Sequence, residues 1–274
     1  MPAIKLQTHR VDKPWGRHRL FPGFPDPAPD ADPVGEVWFQ QPGDTSPDLL
    51  VKYLFTGEKL SVQVHPDDTQ AHARGLPRGK DECWTVLTAE PGAVIALGTK
   101  APMTEEELRS AAGDGSIEDK LHWQPVAAGD FYYCASGTIH AIGGGLTVIE
   151  IQQNSETTYR LYDYGSDREL HLDDGVAVAK REPYRPIAPP GPAEDGRIVL
   201  VEGPKFVLER WSAGRDVSLP EGITGWLVPV KGRGEVAGVA FREGECVTVT
   251  GAERVMAGAG ADLLFAYPGT KRAA

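Results

Sequence analysis

Cysteine is scarce in this chain: Cys83, Cys134 and Cys246 are scattered along 274 residues. They are too few and too far apart for a disulfide framework or a thiolate zinc site, so a reduced, cytoplasmic setting is the default expectation. Long apolar runs are missing as well. No stretch approaches the roughly 20 residues of a membrane-spanning helix, and Met1-Pro2-Ala3-Ile4-Lys5 lacks the apolar core of a signal peptide. Basic charge is outnumbered, with 28 Lys and Arg against 39 Asp and Glu and a formal net charge of −11. Such a chain repels polyanions, so neither nucleic acid nor an anionic membrane is expected as a partner. An anionic ligand would have to be met by a few locally placed cations. Histidine stops at His171, which excludes a histidine-based metal site in the last hundred residues.

What remains is rich in turns and strands. The 32 Gly and 23 Pro punctuate short apolar runs, which predicts a mainly β protein with a few short helices. Lys13-Pro14-Trp15-Gly16 reads as a rigid turn, and residues 21–33, with Pro22, Pro25, Pro27, Pro29 and Pro33, as an exposed loop. Strands are expected at 35–39, 49–55 and 83–87. Asp67 should cap one helical turn, and Thr104-Glu105-Glu106-Glu107 is a capping box for a helix that Gly113 would end. Asp173 and Asp174 would cap a short helix running to Ala179. Residues 181–197, with Pro183, Pro186, Pro189, Pro190 and Pro192, read as a linker. The expected division is therefore a metal-binding catalytic domain over 1–180 and a second, metal-free domain over 198–274. The latter shows strands near 206–211, 224–231, 235–239, 246–250 and 262–267.

Two strands carry polar groups where solubilising charges would be ordinary. Over residues 60–65, Leu60, Val62 and Val64 alternate with Ser61, Gln63 and His65. In the run after Leu146, Val148, Glu150, Gln152 and Asn154 share one face while Ile149 and Ile151 share the other. A greasy face backed by Gln, His and Glu fits a barrel wall with its polar side turned into a lumen, although a wet edge strand would also show it. Lys52 lies in the apolar run 49–55 and either snorkels to a sheet edge or faces an anion in the lumen. Gly57, then Gln63 and His65, then Glu82, match the first cupin motif, with Gln in place of one usual histidine. Gly129, then Ala135-Ser136-Gly137 and His140, match the second. The spacing i, i+2 puts Gln63 and His65 on one face, and a third strand can bring His140 to them. Gln63, His65, Glu82 and His140 are accordingly the candidate metal ligands, suited to one Zn²⁺ per chain with a position left for water. Satisfied polar core residues are the alternative. His9, His18, His72, His122 and His171 have no such setting and read as surface or hydrogen-bonded histidines.

Longer stretches are more specific. Leu60-Ser61-Val62-Gln63-Val64-His65-Pro66, Gly79-Lys80-Asp81-Glu82-Cys83-Trp84, Ser136-Gly137-Thr138-Ile139-His140-Ala141, Glu150-Ile151-Gln152-Gln153-Asn154-Ser155 and Thr157-Thr158-Tyr159-Arg160-Leu161-Tyr162-Asp163 occur in order. Together they closely resemble the type I mannose-6-phosphate isomerase family in its short bacterial form, over roughly residues 10–180. The resemblance implies two cupin-type β-barrels or jelly rolls and a zinc-dependent interconversion of mannose 6-phosphate and fructose 6-phosphate. It implies zinc on Gln63, His65, Glu82 and His140, substrate contacts from Lys80 and Arg160, and Lys52 and Ser61 lining the pocket. Proton transfer between two carbons needs a base, for which Glu150 is the candidate, with a structural pairing to Arg160 as the alternative. A phosphorylated hexose is the expected partner, with oligomeric state open. Two departures stand out. The long forms carry a histidine where Gly79 stands, so the ring-opening group has no candidate, and residues 101–122 leave no room for their large helical insertion, which would make the pocket more open. A metal-dependent cupin oxygenase, a non-catalytic sugar-binding cupin and an isomerase of unphosphorylated mannose are the competing functions.

Overall fold

The computed structural model describes residues 1–20, 23–41, 43, 46–187, 190–192, 197–258 and 260–270. Positions 21–22 of the proline-rich loop, and 188–189 and 193–196 of the linker, lie outside the described residues. Alternating sequence produces the architecture directly. In the Leu49–Thr56 strand, Val51, Tyr53 and Phe55 point one way and Lys52 and Leu54 the other, and every residue is buried because both faces are covered. Leu146–Gln153 pairs with it antiparallel and repeats the division, with Ile149 and Ile151 on one face and Val148 and Glu150 on the other.

Those two strands sit at the centre of a six-stranded sheet ordered Gln7–Arg17, Val34–Gln40, Leu49–Thr56, Leu146–Gln153, Glu82–Ala89, Phe131–Cys134. Its inner face packs on a five-stranded sheet ordered Tyr159–Tyr162, Val62–Val64, His140–Ile142, Val94–Thr99, Leu121–Pro125. Its outer face packs on a seven-stranded sheet of the second half, through Val37, Phe39, Tyr53 and Ile151 against Val201, Phe206, Trp226 and Leu264. That sheet in turn covers a four-stranded one, around Trp211, Leu227, Phe241 and Phe265. Each half is thus a two-sheet sandwich, with no closed barrel among the described residues. The halves are bonded by a shared apolar layer in which each buried aromatic or aliphatic side chain contributes about 1.5–3 kcal/mol. Ala3–Lys5 pairs with Val247–Thr250 and so forms the edge of the second half's sheet.

Helices close the far side of the five-stranded sheet. Glu105–Asp114 starts at a complete Thr104–Glu107 capping box and ends on Gly115 in the left-handed conformation, two residues beyond the expected Gly113. Its Leu108, Ala111 and Ala112 bury against Val62, Val64 and Leu161 together with the Leu172–Val178 helix. The apolar face of 60–65 therefore meets helices, and the polar face does look inward. Strand structure, however, covers only Val62–Val64; Leu60 precedes it after the bend at Gly57 and packs with Trp15 on the inner side. Lys13-Pro14-Trp15-Gly16 is a bulge within the Gln7–Arg17 strand rather than a turn, because Trp15 is drawn into the inner core while its neighbours stay half-exposed. Residues 235–239 span a hairpin rather than one strand: Ala237 and Gly238, both at positive φ, turn Arg233–Val236 into Val239–Arg242.

Candidate active site

The five-stranded sheet lines up three of the candidates by register. His140 and Arg160 each stand directly opposite Gln63, on the strands to either side of it. Glu82 enters from the facing sheet, opposite Gln152 and Cys134. The result is a cluster of His65, Glu82 and His140 whose ligand atoms lie within 4.8 Å of one another, all fully buried. His65 Nε2 is 3.4 Å from Glu82 Oε2, and His140 Nε2 is 3.2 Å from Glu82 Oε1. Each imidazole donates from Nδ1 to a backbone carbonyl, His65 to Thr157 at 2.8 Å and His140 to Thr138 at 2.9 Å. That fixes the tautomer and leaves both Nε2 lone pairs turned toward the carboxylate, as metal-binding histidines are held. Gln63 Nε2 stands 3.1 Å from His140 Nε2, and its Oε1 accepts from the Ser61 hydroxyl at 3.2 Å.

Glu82 is the informative member. Neither of its oxygens accepts a well-formed hydrogen bond, although both are buried. A buried carboxylate left in that condition, beside two aimed lone pairs, fits a divalent cation and fits a satisfied polar core poorly. Lys80 supplies the positive charge of the cluster, its Nζ 3.0 Å from Glu82 Oε2 and 3.2 Å from His65 Nε2. Burial works to raise the Glu82 carboxyl, yet the Lys80 ammonium and the two imidazoles hold it well below the ordinary range. Burial and the same ammonium push His65 down to about 3, so its ring is neutral at physiological pH. Lys80 stays charged because Glu82 and Glu150 outweigh its burial.

A cleft of about 700 Å³ opens above this floor between the two sheets, lined by Ser61, Gln63, Lys80, Glu150, Lys52 and Arg160 among others. All nine candidate residues therefore belong to one site. Lys52 does not snorkel: it lies in the lumen 3.3 Å from Glu150 and 3.7 Å from Glu36, over the Trp38 ring at 4.6 Å. Glu150 pairs with Lys52 and accepts from the Trp84 indole at 3.2 Å, not with Arg160. Burial and the charge of Glu82 raise its carboxyl above the ordinary value. Arg160 Nε donates to the Glu169 carbonyl at 2.9 Å. Gly79 has no room for any side chain, since a Cβ there would lie 2.5 Å from the Asp67 carbonyl carbon and 2.6 Å from the Pro66 oxygen. Sequence reasoning missed that His9 and His171 line the cleft. His9 could have been found from the long Gln7–Arg17 strand, but nothing in the local pattern around His171 marks it.

Fold and site together define a cupin-type protein of two stacked sandwiches with a buried His–Glu–His cluster at the base of a polar cleft. No family model matches the chain. It is 38% identical over 197 residues to mannose-6-phosphate isomerase of Streptococcus mutans, covering 69% of this chain and 62% of that protein. It is 40% identical over 193 residues to mannose-6-phosphate isomerase ManA of Bacillus subtilis, covering 66% and 60%. The chain thus spans under two thirds of the length of these curated relatives. A crystal structure of the Bacillus subtilis mannose 6-phosphate isomerase superposes with a TM-score of 0.80 at 26% identity, covering 97% of this chain and 99% of that one. A zinc-bound mannose 6-phosphate isomerase shares the fold, with a TM-score of 0.71 at 14% identity over 98% and 100%. The chain belongs to the mannose-6-phosphate isomerase family.

Proposed function

We propose that this protein is a zinc-dependent aldose–ketose isomerase that interconverts mannose 6-phosphate and fructose 6-phosphate through an enediol. The observation that carries this reading is Glu82, a buried carboxylate whose oxygens face two Nε2 atoms and the Lys80 ammonium without completing a hydrogen bond, beneath a cleft of sugar size. His65, Glu82 and His140, with Gln63 beside them, would hold the ion. Zinc, when bound, supplies a Lewis-acid charge to the sugar oxygens. Phosphorylated mannose follows from the family and from the cations placed in an otherwise acidic protein.

The chain's own groups account for the proton and the charge. Isomerisation moves a proton between carbon 2 and carbon 1 of the open sugar while negative charge builds on oxygen. Glu150 lines the cleft and has a raised pKa, which suits a group that must take a proton and give it back near neutral pH. Trp84 and Lys52 fix its two oxygens. The Lys80 ammonium, kept charged, opposes the developing negative charge from the cleft floor. Arg160, at the outer strand, meets the phosphate with its bidentate fork. A coupled assay on mannose 6-phosphate, with chelator and then with added zinc, tests the reading. Turnover that disappears on chelation and returns with zinc is expected; sugar binding that survives chelation without any turnover, or oxygen consumption with iron, would overturn it.

A further inference from the structure

Five cationic side chains line the cleft, Lys13, Lys52, Lys80, Arg160 and Arg168. Four of them already face a carboxylate. Lys13 is 3.8 Å from Glu36, Lys52 3.3 Å from Glu150, Lys80 3.0 Å from Glu82, and Arg168 grips Asp163 with two bonds of 2.5 and 2.6 Å. Arg160 alone pairs with no carboxylate among the described residues. Its backbone explains how it is held. The His171 N–H donates to the Arg160 carbonyl at 2.8 Å, and the Arg160 N–H donates back to His171 Nδ1 at 3.3 Å. With Glu169 accepting from Arg160 Nε, the loop between the Tyr159–Tyr162 strand and the Leu172–Val178 helix wraps the arginine on three bonds.

The imidazole is committed by this arrangement. Because Nδ1 accepts, the neutral ring carries its proton on Nε2, at the opposite end. No group among the described residues pairs with Nε2, and the ring lines the cleft. Tyr159–Tyr162 is the edge of the five-stranded sheet, so His140, Gln63 and Arg160 run outward in a row and His171 flanks the last of them. From His140 to Arg160 is two strand spacings, about 10 Å, close to the reach of an open six-carbon sugar from its carbonyl end to a terminal phosphate.

We propose that His171 is a substrate-specificity residue of the phosphate end, donating from Nε2–H to a phosphate oxygen while its Nδ1 holds Arg160 in place. The inference rests on the mannose 6-phosphate reading for its substrate, but binding of inorganic phosphate examines it separately. The experiment compares wild type with His171→Ala, His171→Asn and His171→Gln. Asn keeps an acceptor near the Nδ1 position and loses the far donor; Gln places a donor near Nε2. The expected result is a KM for mannose 6-phosphate raised about tenfold in the Ala and Asn variants with kcat within about twofold. Inorganic phosphate, titrated calorimetrically, should weaken by the same factor, and Gln should recover part of both. A loss confined to kcat would move the ring to the reacting end and overturn the proposal. Full rescue by Asn would reduce His171 to a loop anchor and overturn it equally. If wild type turns over no mannose 6-phosphate, the proposed function fails, and the phosphate titration alone decides the role of His171.

Discussion

Glu82 and Glu209 hold comparable places in the two sandwiches. Each is fully buried, and each projects inward from a strand inside the larger sheet of its half. Their surroundings differ. Glu209 accepts from the Trp211 indole at 2.8 Å, the Tyr267 hydroxyl at 2.9 Å and the Arg197 guanidinium at 3.1 and 3.3 Å. Glu82 meets two imidazole lone pairs and one ammonium, and its oxygens go without a proper hydrogen bond. One architecture thus uses a buried carboxylate in two ways. Donors that complete its lone pairs make Glu209 structural, while the acceptors set around Glu82 suit the metal-ligand role proposed for it.

The largest effects should come from exchanging the two carboxylates' fates. Glu82→Gln keeps shape but removes the charge, and turnover of mannose 6-phosphate should fall on the order of a thousandfold or more, with zinc content falling too. Metal analysis beside the coupled assay reads both; a variant that keeps its zinc and most of its rate breaks the contrast. Glu209→Ala should act on the other axis. Removing one partner of a buried, hydrogen-bonded ion pair costs about 3–5 kcal/mol, because the Arg197, Trp211 and Tyr267 donors lose the acceptor they share. Urea unfolding should show that loss with metal content unchanged. If Glu209→Ala instead emptied the proposed metal site and kept its stability, the second sandwich would not be a purely structural partner.

Much of this contrast was legible in the chain, and the limits have physical causes. Alternation of period two divides 146–153 correctly because both faces of that strand are buried and a one-residue slip would bury the wrong set. The cluster of His65, Glu82 and His140 was legible because side chains that converge on one point must come from fixed strand positions. Leu60 was misassigned because the strand starts two residues later, so alternation counted from it had no strand beneath it. His171 was invisible because its place depends on a loop folding back onto Arg160, a tertiary event with no period. The pairing of Ala3–Lys5 with the far end of the chain is non-local in the same way.

A smaller effect is expected at Gly79, where the long forms of the family carry histidine. Backbone atoms of Pro66 and Asp67 close the space a Cβ would need, so Gly79→His must displace the segment that carries Lys80. Stability should fall by about 1–3 kcal/mol, as overpacking does, and the added imidazole should bring no gain in rate. A thermal melt and the coupled assay check the two parts, and a stable variant with a higher kcat would show that this fold does accept the missing group.

The smallest effect concerns the seam between the halves. Asp68 Oδ2 accepts from Lys205 of the second half at 2.6 Å, while Oδ1 accepts from the Gly79 N–H at 2.8 Å and from Gln153 at 3.0 Å. Partial burial works upward on this carboxyl, but those donors pull it down to about 2. A folded pKa below the unfolded value of about 3.9 means stability that is full above pH 4 and lost as pH falls toward 2. The group is largely solvated, so screening holds the contribution to about 1 kcal/mol or less. Asp68→Asn should therefore lower the urea midpoint slightly at pH 7 and show a shrinking difference from wild type between pH 4 and 2. A difference that grows on acidification would have the wrong sign for a depressed carboxylate. It would place the strength of the seam in the apolar layer of Tyr53, Phe206 and Trp226 alone.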